Sequence, residues 1–173
     1  MAYNFETKLV KVGPRAIIRL PIEVSEKLPS RGMVMICGTI NNISFQAPLE
    51  PDGKGSHWME VTKPLSDKVK ISIGDTVTFT IEPIDDWIEP EVAKDIMDAF
   101  LKEGVLDQWK AITPKAKWQW IRWIRFTAKS KTRSKRIGIA CSKLQNGDKR
   151  PCCFDYSRCT VTDVSRSGVL LDK

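Results

Sequence analysis

The sequence predicts an α+β chain, a small internally duplicated β-barrel followed by a basic helical region, and three observations carry that prediction. Up to Pro83, short apolar runs alternate with Gly, Pro and Asn punctuation, the pattern of many short strands. Within that stretch the order strand, short helix, glycine, strand occurs twice. After Pro83 the apolar spacing switches to the helical period.

Taken in order, Phe5 to Val12 and Ala16 to Leu20 read as two strands separated by Gly13-Pro14. Ile22 to Leu28 suits a short helix that Pro29 must end. Met33 to Ile40 and Ile43 to Leu49 flank Asn41-Asn42, and paired asparagines tolerate positive φ, so a tight hairpin is expected. His57 to Val61 is the next strand, Pro64 opens a second short helix, and Gly74-Asp75 leads into Thr76 to Ile81 with strict alternation. Aligning Ser25-Glu26-Lys27-Leu28 with Ser66-Asp67-Lys68-Val69 brings Gly32 onto Gly74 after one inserted residue. One half would leave strand edges open, and two halves can close them against each other.

In the second region, Pro90 marks an expected helix start, with Val92, Ile96, Ala99 and Phe100 at helical spacing before Gly104. Val105, Leu106 and Trp109 suggest a further turn or two, and Thr113-Pro114 is a cap and first-turn proline. From Lys115 to Ala128, Trp120, Ile121, Trp123, Ile124 and Ala128 share one arc, while Arg122, Arg125 and Lys129 fall opposite. An unbroken helix would add Arg133 and Arg136 to the same basic line; Ser130 and Thr132 are helix-capping types that would instead divide it in two. The indoles are expected to pack against the barrel rather than stack on a ligand.

Two resemblances follow from these residues. Ala16-Ile17-Ile18-Arg19-Leu20-Pro21-Ile22-Glu23-Val24, with Gly74-Asp75-Thr76-Val77, resembles the AbrB/MazE-type swapped-hairpin barrel. The whole run from Phe5 to Pro83, including Gly38 to Phe45 and Asp52 to His57, is more closely similar to a bacterial and archaeal domain of unknown function with both halves in one chain. That resemblance implies a double-split barrel over residues 1–84 and a monomer, and the DNA contacts of AbrB-type dimers have no match here. Trp120-Ile121-Arg122-Trp123-Ile124 to Ala128-Lys129, Thr132-Arg133, Arg136-Ile137 and Leu144-Gln145-Asn146-Gly147 resemble the YdeI/OmpD-associated, bacteriocin-protection family, here assigned residues 85–148. Its name implies protection against bacteriocins. Residues 149–173 form a tail outside both resemblances, whose Gly168-Val169-Leu170-Leu171 could add an edge strand.

The charge is unevenly placed. The chain of 173 residues has a formal charge of +7, and between Lys110 and Lys149 twelve Lys and Arg stand with a single acid, Asp148. Such a segment favours anionic partners, nucleic acid being the broadest class, against the alternative of a merely solvated face. Arg122, Arg125, Lys129, Arg133 and Arg136 are therefore the candidate anion-binding residues. The start lacks a basic stretch leading into an apolar run, no apolar segment is long enough to span a bilayer, and five irregularly spaced cysteines suit free thiols, so a cytoplasmic setting is expected.

No catalytic residue, metal ligand or cofactor is nominated. His57, the one histidine, has no neighbouring Ser, Cys or carboxylate pattern in sequence and reads as structural. Cys141, Cys152, Cys153 and Cys159 lack paired zinc spacing, Asp85, Asp86, Glu89 and Glu91 suit a linker and helix start, and Asp52-Gly53-Lys54-Gly55-Ser56 lacks the full phosphate-loop spacing. A binding module for a polyanion is the leading expectation. The alternatives are a bacteriocin-protection or stress-related factor with a protein partner, and an enzyme using a pocket between barrel and helices.

Overall fold

The computed structural model describes residues 1–161 and 165–171, with Arg166 described by its backbone alone. The fold is mixed α+β, and the chain divides into two compact units. The first holds residues 1–86 with 156–159 and the described residues from 165 on; the second holds 87–155 with 160–161.

In the first unit a curled antiparallel sheet of seven strands runs in the order β1-β7-β4-β5-β6-β3-β2. The strands are β1 (Tyr3–Lys8), β2 (Val10–Val12), β3 (Arg15–Arg19), β4 (Val34–Ile40), β5 (Ile43–Pro51), β6 (His57–Glu60) and β7 (Thr76–Pro83). Two short helices interrupt them, α1 (Ile22–Ser25) and α2 (Lys63–Val69). The run expected as one strand from Phe5 to Val12 breaks at Leu9. There the amide donates to the Asp75 carbonyl at 2.9 Å and the carbonyl accepts from Gly74 at 2.8 Å, so the chain turns from pairing β7 to pairing β3.

Asn41 and Asn42 hold φ of 50° and 63° between the facing residues Ile40 and Ile43, a two-residue turn whose twist matches the strands it joins. The repeated strand, helix, strand order is present in space as well. Ser25 and Ser66 are 41 residues apart, and so are Ile18 and Met59, which face each other across β3 and β6. Exchanging the halves by that offset turns Ile17↔Glu60 into Arg19↔Trp58. With the one inserted residue, the same exchange turns Tyr3↔Ile81 on β1 and β7 into Thr39↔Ser44 on β4 and β5. The halves are thus paired about a local two-fold axis.

Inward residues of both halves make one core, including Phe5, Ile18, Ile36, Ile40, Leu49, Met59, Phe79 and Ile81. Phe79 anchors it, stacked on Phe5 at 5.5 Å between centroids and edge-on to Phe45 at 6.4 Å. The tail contributes a short hairpin, β8 (Ser165–Arg166) with β9 (Val169–Leu170), and the Leu170 amide donates to the Asp52 carbonyl.

The second unit has four helices among the described residues: α3 (Lys94–Lys102), α4 (Leu106–Ala111), α5 (Pro114–Arg125) and α6 (Ser130–Gln145). The first starts at Lys94, later than Pro90: residues 87–93 have no regular structure, and Ala93, with extended backbone, is the N-cap. Its core is self-contained, with Ile96, Phe100, Trp109, Trp120, Ile124, Ala140 and Leu144 buried together.

Candidate functional site

Helix α5 supplies the first part of the basic region. Thr113 Oγ1 accepts from the Ala116 amide at 3.2 Å and Pro114 occupies the first turn, so its start is capped as the sequence predicts. The helix is covered on more than one side: Ala116, Lys117, Gln119, Trp120, Ile121, Arg122 and Ile124 are all buried. Trp120 lies in the helical unit's own core, edge-on to Trp123 at 5.8 Å, and its indole donates to the Lys149 carbonyl at 3.0 Å. The expected basic side of this helix is therefore not an open face. Arg122 is 0% exposed, with its guanidinium 5.5 Å from the centroid of the Phe154 ring.

The helix stops at Arg125, which removes Lys129 from it. Phe126 leaves the helical conformation, and the Lys129 amide turns to Thr127 Oγ1 at 3.1 Å. Helix α6 then begins at Ser130, so Arg133 and Arg136 belong to a separate element; the division falls before Ser130, with Lys129 at the N-cap, and neither Ser130 nor Thr132 caps the helix. Arg136 reaches back to the end of α5. Its Nη1 donates to the carbonyls of Trp123 and Phe126 at 2.6 and 2.7 Å, and its guanidinium lies 5.2 Å from the Trp123 centroid. Those last carbonyls have no partner within their own helix, so a cation there both satisfies them and opposes the helix dipole. Burial lowers the pKa of Arg136 from its ordinary value.

Arg133 forms a two-pronged pair with Asp95, at 2.7 Å from Nε and 2.9 Å from Nη2, joining α6 to α3. The hydrogen bond to Arg133 holds the Asp95 carboxyl below its usual range, and the same bond raises Arg133. Arg125 donates from Nε to Thr160 Oγ1 at 3.0 Å. The five nominated cations thus do not form one stripe.

Lys129 is the nominated residue that stays exposed, and it stands at the N-terminal end of α6 with Lys131 and Lys135, both also exposed. That end has no side-chain cap and no acid in its first turn, which leaves backbone N–H groups and the positive end of the dipole facing outward. Sequence reasoning passed over Lys131 and Lys135 because an unbroken wheel puts them off the stripe; the α5–α6 break is the signal that regroups them. It also passed over Lys117, which is buried and pairs with Glu89 at 2.9 Å, giving that acid a partner within the helical unit.

The other candidates resolve into structural parts. Ser25, 32 residues away in sequence, lies 2.7 Å from Nδ1 of His57, a contact the local sequence did not reveal. Nε2 is 2.7 Å from the Gly32 carbonyl, which can only accept, so Nε2 carries a proton and donates to it. Both residues are 0% exposed, and no substrate could reach the pair. Asp52 turns its carboxylate into its own loop, where Oδ1 accepts from the amides of Lys54 and Ser56 at 2.7 and 3.0 Å.

A groove of about 450 Å³ runs between α3 and α6, bordered by Asp95, Ala99, Lys102, Gly138 and Cys141. Burial and then the nearby Glu103 push the Cys141 thiol up, the reverse of what activates a nucleophile. Among the described residues no group of three or more His, Cys, Asp or Glu is placed to hold a metal ion, and no helix is long and apolar enough to cross a membrane.

Two family models match the chain. Residues 5–81 match a domain of unknown function, DUF1905, and residues 89–147 match the family described as bacteriocin-protection, YdeI or OmpD-associated. No curated protein matches the chain.

Proposed function

We propose that the chain is a non-catalytic binding protein in a bacteriocin-protection-related role, whose helical unit engages an anionic partner at the N-terminal end of α6. One observation carries this reading: Lys129, Lys131 and Lys135 are exposed around a helix start that has neither a side-chain cap nor an acid in its first turn. Outward N–H groups and the dipole's positive end suit phosphate or carboxylate oxygens, and the lysines add a salt-dependent attraction. Nucleic acid is the broadest polyanion that would fit. Arg125 is tied to Thr160, while Arg122, Arg133 and Arg136 support the helices that present it.

The barrel unit serves in this reading as the scaffold. Its halves, related by a local two-fold, are the arrangement expected if an AbrB/MazE-like swapped-hairpin barrel were completed within one chain; DNA contacts are not carried over with it. A cytoplasmic setting accords with five free cysteines.

The test is retention of a mixed-sequence oligonucleotide, with heparin in parallel, across a salt series. Three lysines acting together predict a slope of log affinity on log salt near −2 to −3, and the triple change Lys129→Ala, Lys131→Ala, Lys135→Ala should weaken binding roughly 10- to 100-fold at low salt. A folded protein that binds neither polyanion at low salt, or a triple variant that binds as well as the parent, would overturn the proposal.

A further inference from the structure

The helical unit carries two thiols adjacent in sequence. Cys152 and Cys153 are both exposed and free, with their Sγ atoms 3.2 Å apart. Adjacent side chains ordinarily diverge, to opposite sides of a strand or about a quarter-turn apart on a helix. Here Cys153 has φ of 55°, the left-handed conformation that L residues seldom adopt, and the two sulfurs converge. The segment is held from both sides. The Lys149 carbonyl accepts from the Trp120 indole, Pro151 is buried, and the Phe154 ring lies under the Arg122 guanidinium.

We propose that Cys152 and Cys153 form a two-sulfur binding site for a soft, thiophilic electrophile that offers two adjacent bonding positions, the chemistry of trivalent arsenic. Soft thiolate donors select such centres, and a pre-formed pair gains over two separate thiols because the second bond closes within one molecule. Structural zinc is a poorer fit, since it takes four ligands and no third donor joins the pair among the described residues. The hydrogen bond shared with Cys152 pushes the Cys153 thiol up. With an arylarsine oxide the step balances without oxidation or reduction. The arsenic–oxygen bond breaks, two sulfur–arsenic bonds form, both thiol protons leave with the oxygen as water, and arsenic stays trivalent.

The full chain, reduced and freed of thiol, would be treated with phenylarsine oxide and weighed intact. The expected result is one adduct per chain that 1,2-ethanedithiol removes and that withstands about 100-fold more glutathione than the adducts of Cys152→Ser or Cys153→Ser. Both positions are exposed, so the variants should keep the parent's circular dichroism. A resistant adduct that persists in either serine variant, or a parent adduct stripped at the variants' glutathione concentration, would overturn the proposal. Neither outcome depends on the lysines of α6.

Discussion

Changing Arg136 to Met keeps the aliphatic stem and deletes the guanidinium that closes the end of α5. Two charge-assisted hydrogen bonds are lost, to the carbonyls of Trp123 and Phe126. Each such bond contributes about 1.5–3 kcal/mol net, but here both leave one nitrogen, so about 2 kcal/mol is a fair value for the pair. The contact with the Trp123 ring adds roughly 0.5 kcal/mol. The desolvation that lowers the pKa of Arg136 works against both, which brings the expected loss to about 2 kcal/mol. Arg136→Lys keeps the charge without the planar fork and should lose about half as much.

Urea unfolding followed by tryptophan fluorescence is the suitable assay, because five of the six tryptophans, all but Trp58, lie in the helical unit. A helical unit that unfolds by itself should also melt on the order of 10 °C lower in the Met variant. A Met variant within about 0.5 kcal/mol of the parent would refute the capping role, since that is the scatter of an ordinary surface change. It would return Arg136 to the set of cations open to a ligand.

Two further predictions concern stability. Arg133 holds the Asp95 carboxyl below its ordinary 3.8, so the clasp between α3 and α6 is intact above that value and is lost as pH falls through the lower folded-state value. Asp95 is about half exposed, so the contribution is only about 0.5 kcal/mol, and Asp95→Asn should flatten the acid limb of a stability profile between pH 5 and 2; an unchanged limb would remove the clasp. In the barrel, a Cβ at position 38 would sit 2.0 Å from the Thr80 carbonyl oxygen and 3.0 Å from the Ile81 Cα. Because those atoms are backbone of a paired strand, Gly38→Ala should cost at least about 3 kcal/mol in denaturant unfolding, and a neutral result would mean that β4 and β7 do not approach as described.

What could be read from the sequence was what local chemistry decides. The Asn41-Asn42 turn and the Thr113 cap depend on residues a few places apart, the Ser25/Ser66 alignment on a short local pattern that recurs 41 residues later, and each has its counterpart in the structure. The break at Leu9 was hidden because the apolar pattern runs through it and the cause is a pair of bonds to residues 74 and 75. The end of α5 was hidden for a similar reason: apolar spacing continues to Ala128, and the groups that end the helix come from Arg136 and from a local turn at Thr127. A helical wheel assumes one covered side, so it could not foresee that Phe154 lies by Arg122, or that Ser25 meets His57 across 32 residues. The candidate site moved accordingly, from a stripe of four arginines and Lys129 to a cluster of Lys129, Lys131 and Lys135 at a helix start.

The turn at Asn41 and Asn42 is also the seam between the two repeated halves of the seven-stranded sheet. Fusing complementary pieces through so short a connection makes their encounter a first-order event, at a local concentration on the order of millimolar or higher whatever the amount of protein in the cell. Lengthening the connection would dilute one piece relative to the other only gradually, by about 0.6 kcal/mol for each doubling of the loop. The seam is therefore where an insertion would slow the joining of the two halves of the sheet while leaving every strand pairing intact.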